Sequence, residues 1–135
     1  MITGYTTGVF DLFHIGHLNI LKNASSICDR LIVGVTTDEY CKIYKGNKPV
    51  IPYEHRFEII KNIRFVDLAV PQENHNKMKA WEKYKFNIMI VGDDWKNTKE
   101  WNEHEKQFSE INVEIAYLPR TKNISSSSLR NIVKK

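Results

Sequence analysis

The spacing of apolar residues changes along this chain in a way that marks alternating strands and helices. Ile2 to Thr7 alternate apolar and β-branched types and stop at Gly8, which predicts a first strand and a tight turn. After the turn, Ile15, Leu18, Ile20, Leu21 and Ala24 fall near the helical period, predicting a helix from about Ile15 to Ser26. Arg30 to Val35 (RLIVGV) is a continuous apolar run, the pattern of a strand covered on both faces. Thr37 or Asp38 then caps a short helix.

Neither period fits Tyr44 to Pro52, which holds Gly46, Pro49 and Pro52 beside Lys45 and Lys48, and a mobile basic loop is expected there. A helix from about Tyr53 to Ile63, a strand Val66 to Val70, a helix Asn76 to Lys85 and a strand Asn87 to Val91 follow. A charged, partly helical segment runs to Phe108, Val113 to Leu118 is the last strand, and Ser125 to Ser128 cap a final helix Leu129 to Val133. Strands alternating with helical segments argue for an α/β fold: a five-stranded parallel sheet with right-handed crossovers and helices on both faces. In such sheets ligands bind beyond the carboxyl ends of the strands. That rule directs attention to Thr7 to His17, Thr36 to Lys48, Gly92 to Trp95 and Pro119 to Ser128, all rich in polar or charged residues.

At 135 residues, 41% apolar and 27% charged, the chain corresponds to one folded domain, residues 1–135, with a core that needs no disulfide or structural metal. No apolar run reaches the roughly 20 residues of a bilayer span, and the N-terminus lacks the pattern of a signal peptide, so a cytoplasmic protein with no membrane partner is expected. Cys28 and Cys41 are then expected as free thiols. A net charge of +4 suits nucleic acid, an anionic surface or small phosphorylated substrates. The basic residues are spread over many segments without a nucleic-acid motif, which argues against the first.

The densest chemistry lies in GVFDLFHIGH, Gly8 to His17. Gly8 permits a tight turn, and the following helix aims unpaired N–H groups at the same edge, a favourable place for phosphate. His14 and His17, three apart, share a helical face and can donate to phosphate oxygens, while Gly16 leaves room for a ligand. By spacing alone, surface histidines or a metal-binding pair remain open, although two histidines without a third ligand make a poor zinc site.

HIGH is an HxGH motif, and with TTDEY, the lysine loop, YEHR, IRFVD, VGDDW and YLPRTKNISSS in order it resembles the cytidylyltransferases of the HxGH nucleotidyltransferase superfamily, nearest to the small enzymes that act on glycerol 3-phosphate. The resemblance implies a single Rossmann-like domain that moves a cytidylyl group from CTP to an alcohol monophosphate, with Mg²⁺ bound mainly through the CTP phosphates, and it suggests a homodimer. It implies that His14, His17, Lys45 and Arg120 are catalytic. Gly8, Val9, Phe10, Gly16, Asp93, Asp94, Thr121, Ser125 and Ser126 then contact the nucleotide, and Lys48, Arg56 and Arg64 the phosphorylated alcohol. Asp11 is grouped with the substrate contacts, although holding the turn or meeting a metal are also open to it. His75 and His104 read as surface residues, and the tryptophans as packing groups, with Trp95 beside GDD the exception.

Two departures bear on specificity. Asn123 stands where the family has glycine, and asparagine best tolerates a left-handed backbone among the other residues. Val9 replaces a common threonine, and GVFD is closer to the choline-phosphate and ethanolamine-phosphate enzymes. Those acceptors, ribitol phosphate, an ATP-using adenylyltransferase and a non-catalytic nucleotide-binding module remain the alternatives.

Overall fold

A computed structural model describes residues 1–121, so the expected final helix, Asn123, Ser125 and Ser126 lie outside the described residues. The elements are β1 (Thr3–Gly8), α1 (Ile15–Ser26), β2 (Arg30–Thr36), α2 (Asp38–Lys45), α3 (Tyr53–Lys61), β3 (Leu68–Gln72), α4 (Lys77–Tyr84), β4 (Ile88–Gly92), a 3-10 turn at Asp93–Trp95, α5 (Lys99–Ser109) and β5 (Glu114–Leu118). The five strands form one sheet in the order β3-β2-β1-β4-β5, and every pairing is parallel.

Side chains that alternate along each strand build two cores. Leu31, Val33 and Val35 of β2 and Ile90 of β4 meet Leu21 and Ala24 of α1 and Ile60 of α3. On the other face Tyr5, Ile32 and Met89 meet Phe86, Trp101 and Phe108, with Met78 and Trp81 of α4 packed alongside. β2 therefore needs apolar residues at nearly every position, as its sequence has. Burying each such side chain contributes about 1.5–3 kcal/mol, and truncating fully buried Ile60 to alanine costs about 2–5 kcal/mol.

Three expectations shift. β3 starts later than Val66 because Val66 N–H closes a turn on Ile63 O (3.0 Å) and Asp67 N–H bonds Leu31 O (3.0 Å). The strand instead runs into Pro71, which an edge position tolerates. α2 extends through Tyr44 and Lys45 and ends at Gly46, whose φ of 86° favours glycine, so Lys45 sits on the last helical turn rather than in a loop. The segment after GDDW is a regular helix, α5, because Thr98 caps it by accepting from Trp101 N–H (3.3 Å).

From β1 the chain moves outward to β2 and β3, then returns to the opposite side of β1 with β4. Strand order reverses between β1 and β4, which opens a crevice at their carboxyl ends. The segments after β1 and β4 are the HxGH turn and the GDDW turn.

Candidate active site

A cavity of about 640 Å³ opens at that crevice. Its wall includes Gly8, Val9, Phe10, Asp11, His14, Gly16 and His17 from the β1–α1 segment. It also includes Lys45 and Lys48, Arg120 and Thr121, and at its inner end Thr36, Gln72, His75, Lys77, Glu100 and Trp101.

The two histidines are fixed by each other's backbone. His14 is the N-cap of α1, and its Nδ1 accepts from Gly16 N–H (3.0 Å), while His17 Nδ1 accepts from His14 N–H (3.2 Å). The HxGH motif is thus a reciprocal capping box built from imidazoles. Because both Nδ1 atoms are acceptors, the proton of each neutral ring sits on Nε2. Burial holds His14 below the usual histidine range, and burial, with His14 and Arg120 adding to it, takes His17 down to about 4, so both rings are neutral donors near pH 7. The rings stack with centroids 3.9 Å apart. His14 Nε2 is buried and bonds no described residue, an unmet donor in the cavity wall.

The turn before α1 is strained, but not at the glycine. Phe10 and Leu12 occupy left-handed φ values of 54° and 50°, each costing about 1–2 kcal/mol. Gly8 serves a different purpose from the one its turn position suggests: a Cβ there would sit 2.9 Å from the Phe10 ring, so its bareness lets that ring pack back against β1. Asp11 is 1% exposed and accepts from Val50 N–H (2.8 Å) and Ile51 N–H (2.9 Å), anchoring the segment after Lys48. Of the openings left to Asp11, holding the turn is the one these two bonds serve.

Arg56 corrects its expected role as a substrate contact. Its side chain is fully buried, with Nε donating to Ile51 O (2.8 Å), Nη1 to Val9 O (2.7 Å) and Thr36 O (2.8 Å), and Nη2 to Asp38 Oδ1 (2.6 Å). The guanidinium fork is spent tying together the ends of β1 and β2 and the lysine segment. Arg64 also departs from expectation. It lies between α3 and the start of β3, at the amino edge of the parallel sheet and opposite the cavity, with its guanidinium over Phe65 at 5.3 Å.

Other expected residues gather at the rim. Arg120 Nε donates to Asp94 Oδ1 (2.8 Å) with both side chains more than half exposed, a pair worth about 0–1 kcal/mol. Gly92 makes room for it, since a Cβ there would stand 2.7 Å from Asp94 Oδ1 and 3.0 Å from Arg120 Nε. Thr121 Oγ1 accepts from Asn19 Nδ2 (2.9 Å), which seats the chain after β5 on α1. Asp93 and Asp94 are exposed and outside the cavity wall, which their neighbours Gly92 and Trp95 line instead.

The cytidylyltransferase-like family profile matches residues 5–132, nearly the whole chain. The chain belongs to the cytidylyltransferase-like family. Relatives include the glycerol-3-phosphate cytidylyltransferases of Bacillus spizizenii, 36% identical over 126 residues that cover 93% of this chain and 92% of the relative, and of Staphylococcus aureus, 35% identical over 93% of this chain and 89% of the relative. Among solved structures, the lipopolysaccharide core biosynthesis protein of Thermoplasma volcanium superposes with a TM-score of 0.75 at 27% identity, covering 92% of this chain and 99% of that one.

Beside the HxGH end of this cytidylyltransferase-like cleft lies an inner end that the sequence hid. Lys77 opens α4, is only 7% exposed and holds its Nζ 5.7 Å from the centroid of the Trp101 ring. Burial takes it down to about 8, although Glu100 opposes the shift. A cation at the positive end of a helix, stripped of water, is a local misfit that an anion would relieve. In NKMKAWEKYK it reads like Lys79, Lys83 or Lys85. Only its place at the first position after the Asn76 cap distinguishes it. His75 is not a surface residue either: it lies edge-on between Tyr40 and Tyr44, and Gln72 Nε2 and His75 Nδ1 are 3.3 Å apart. His104 packs on Trp101 (4.9 Å), its side chain only 15% exposed.

Proposed function

We propose that this protein transfers a cytidylyl group from CTP to glycerol 3-phosphate, giving CDP-glycerol and pyrophosphate. One observation carries the reading. A single cavity presents an unmet Nε2–H of His14 at one end and the buried cation of Lys77 at the other, two anion sites for two phosphorylated substrates. The relatives named above supply the identity of nucleotide and acceptor.

The triphosphate lies at the start of α1, where His14 and His17 donate from Nε2 and the helix N-terminus adds partial positive charge. Lys45 and Lys48 at the mouth, and Arg120 once it exchanges Asp94 for phosphate, offset the charge of the leaving group. The acceptor phosphate rests by Lys77. One of its oxygens attacks the α-phosphorus in line; the new O–P bond forms as the bond to the β-phosphate oxygen breaks, and pyrophosphate takes that electron pair. The nucleophile is already anionic, so no base is needed and catalysis is positioning plus charge stabilisation. Mg²⁺ neutralises phosphate charge in such reactions. Mg²⁺ keeps several waters and takes ligands from substrate phosphates, so in this reading it is bound mainly through the CTP phosphates.

The same reading includes a homodimer, supported by exposed Ile59 and Leu68 beside the open edge strand β3. It also includes work in the cytoplasm. The test is pyrophosphate release with CTP or ATP against glycerol 3-phosphate, ribitol 5-phosphate, phosphocholine and phosphoethanolamine. CTP with glycerol 3-phosphate is expected to be fastest. A preference for ATP, or CTP binding without turnover, overturns the reading.

A further inference from the structure

The inner end of the cleft carries a carboxylate that the mechanism above does not use. Glu100 lies in the first turn of α5 and lines the same cavity as Lys77, His75 and Trp101, with its side chain 49% exposed. Its charge is felt by Lys77 and His75 across the lobe and by His104 on its own helix. The approach to His104 is 3.7 Å, too long for a strong hydrogen bond, and burial keeps that ring below the usual histidine range, so it is a neutral neighbour rather than a counter-ion at pH 7. A cleft that must take two phosphorylated anions gains nothing from a carboxylate placed near phosphate. Its presence at the far end calls for a substrate group that donates.

We propose that Glu100 determines acceptor specificity by accepting hydrogen bonds from the hydroxyl groups of a polyol phosphate. The inference rests on the function proposed above and names the part of the acceptor that is read. Neutral hydroxyls fit this lobe better than an ammonium does. Lys77 already lies beside the Trp101 ring, and His75 stands against both Tyr40 and Tyr44, so the aromatic groups of the lobe are engaged and a quaternary ammonium would be set beside a buried cation. A carboxylate with open lone pairs can bind adjacent hydroxyls while Lys77 holds the phosphate. Hydroxyls that meet a charged acceptor in a partly buried site discriminate strongly, because an analogue lacking them leaves the carboxylate unmet.

The experiment compares kcat/KM for glycerol 3-phosphate, n-propyl phosphate and phosphoethanolamine with CTP in the wild type, Glu100→Ala and Glu100→Gln. n-Propyl phosphate keeps the phosphate and the three-carbon chain without the hydroxyls. The wild type is expected to prefer glycerol 3-phosphate by about tenfold or more. Glu100→Ala should erase most of that preference by lowering turnover of glycerol 3-phosphate while leaving n-propyl phosphate within about twofold. Glu100→Gln, which keeps the shape and one acceptor oxygen, should lose less and serves if the alanine variant fails to fold. Equal losses for both substrates would mean a purely structural role and overturn the proposal, as would unchanged preference. Phosphoethanolamine as the best wild-type acceptor, with the largest loss in Glu100→Gln, overturns it in favour of an ammonium reader. No turnover of any acceptor by the folded wild type defeats the proposed function and this inference with it, whereas turnover with equal losses defeats this inference alone.

Discussion

The two ends of the cleft are built by different means. At the HxGH end the side chains are held by bonds between residues two or three apart: Gly16 to His14, and His14 to His17. At the inner end Lys77 is held by distant packing, with Trp101 from another helix beside it and Gln72 and His75 along the wall. One end is closed by a local motif, with its two cap bonds made inside the segment itself. The other exists only once α4, α5 and β3 have met. The contrast extends to the arginines: Arg56 is consumed by the frame that joins the two ends, whereas Arg120 stays at the rim with a pair it can surrender.

The largest effect is expected from attacking that frame. Arg56→Met leaves Asp38 and three backbone carbonyls without their donor in the interior, which costs about 3–5 kcal/mol and lowers Tm by about 10 °C or more. Thermal melts check this. A folded Arg56→Met variant of unchanged Tm that has lost only acceptor affinity would restore Arg56 as a substrate contact.

At the HxGH end, His17→Ala should stay folded and lower kcat by more than about tenfold, the size of a lost transition-state contact. The pH dependence carries a sign. With a folded pKa of about 4 against an unfolded value of about 6.5, the unfolded chain binds a proton that the native protein does not between those pH values. Stability therefore falls as pH drops from about 6.5 towards 4, and the His17 ring should stay neutral through most of that window. A midpoint near 6.5 in an NMR titration of His17 would show that burial does not hold the ring neutral.

At the rim the effect should be smallest. Asp94→Asn removes an exposed pair worth under about 1 kcal/mol, so Tm should move by less than about 4 °C. A larger drop would mean that the GDDW turn is structural rather than poised for ligand.

How far the site could be read from sequence follows the same division. The parallel sheet was legible because short apolar or β-branched stretches bounded by turns recur between helical segments, and β2 is apolar on both faces. The histidines were legible because a local capping box needs only its own residues. The place of Arg56 was not legible since an arginine's charge says nothing about whether carbonyls or phosphate will take its fork; burial decides, and burial is tertiary. Lys77 was hidden among lysines of equal charge for the same reason. Lys45 was placed on a loop because prolines and Gly46 follow it, whereas Thr37 accepts from Tyr40 N–H (3.2 Å) and starts a helix that runs up to that glycine.

The assignment of CTP to one end and the acceptor phosphate to the other is tested most directly by steady-state kinetics of Lys77→Met. Replacing a buried cation with an apolar chain of similar length should leave Tm unchanged or raised, so folding does not confuse the result. The expected outcome is a rise of more than about tenfold in KM for glycerol 3-phosphate with KM for CTP within about twofold of wild type. A rise in KM for CTP alone, or no change in either, would contradict the division of the cleft.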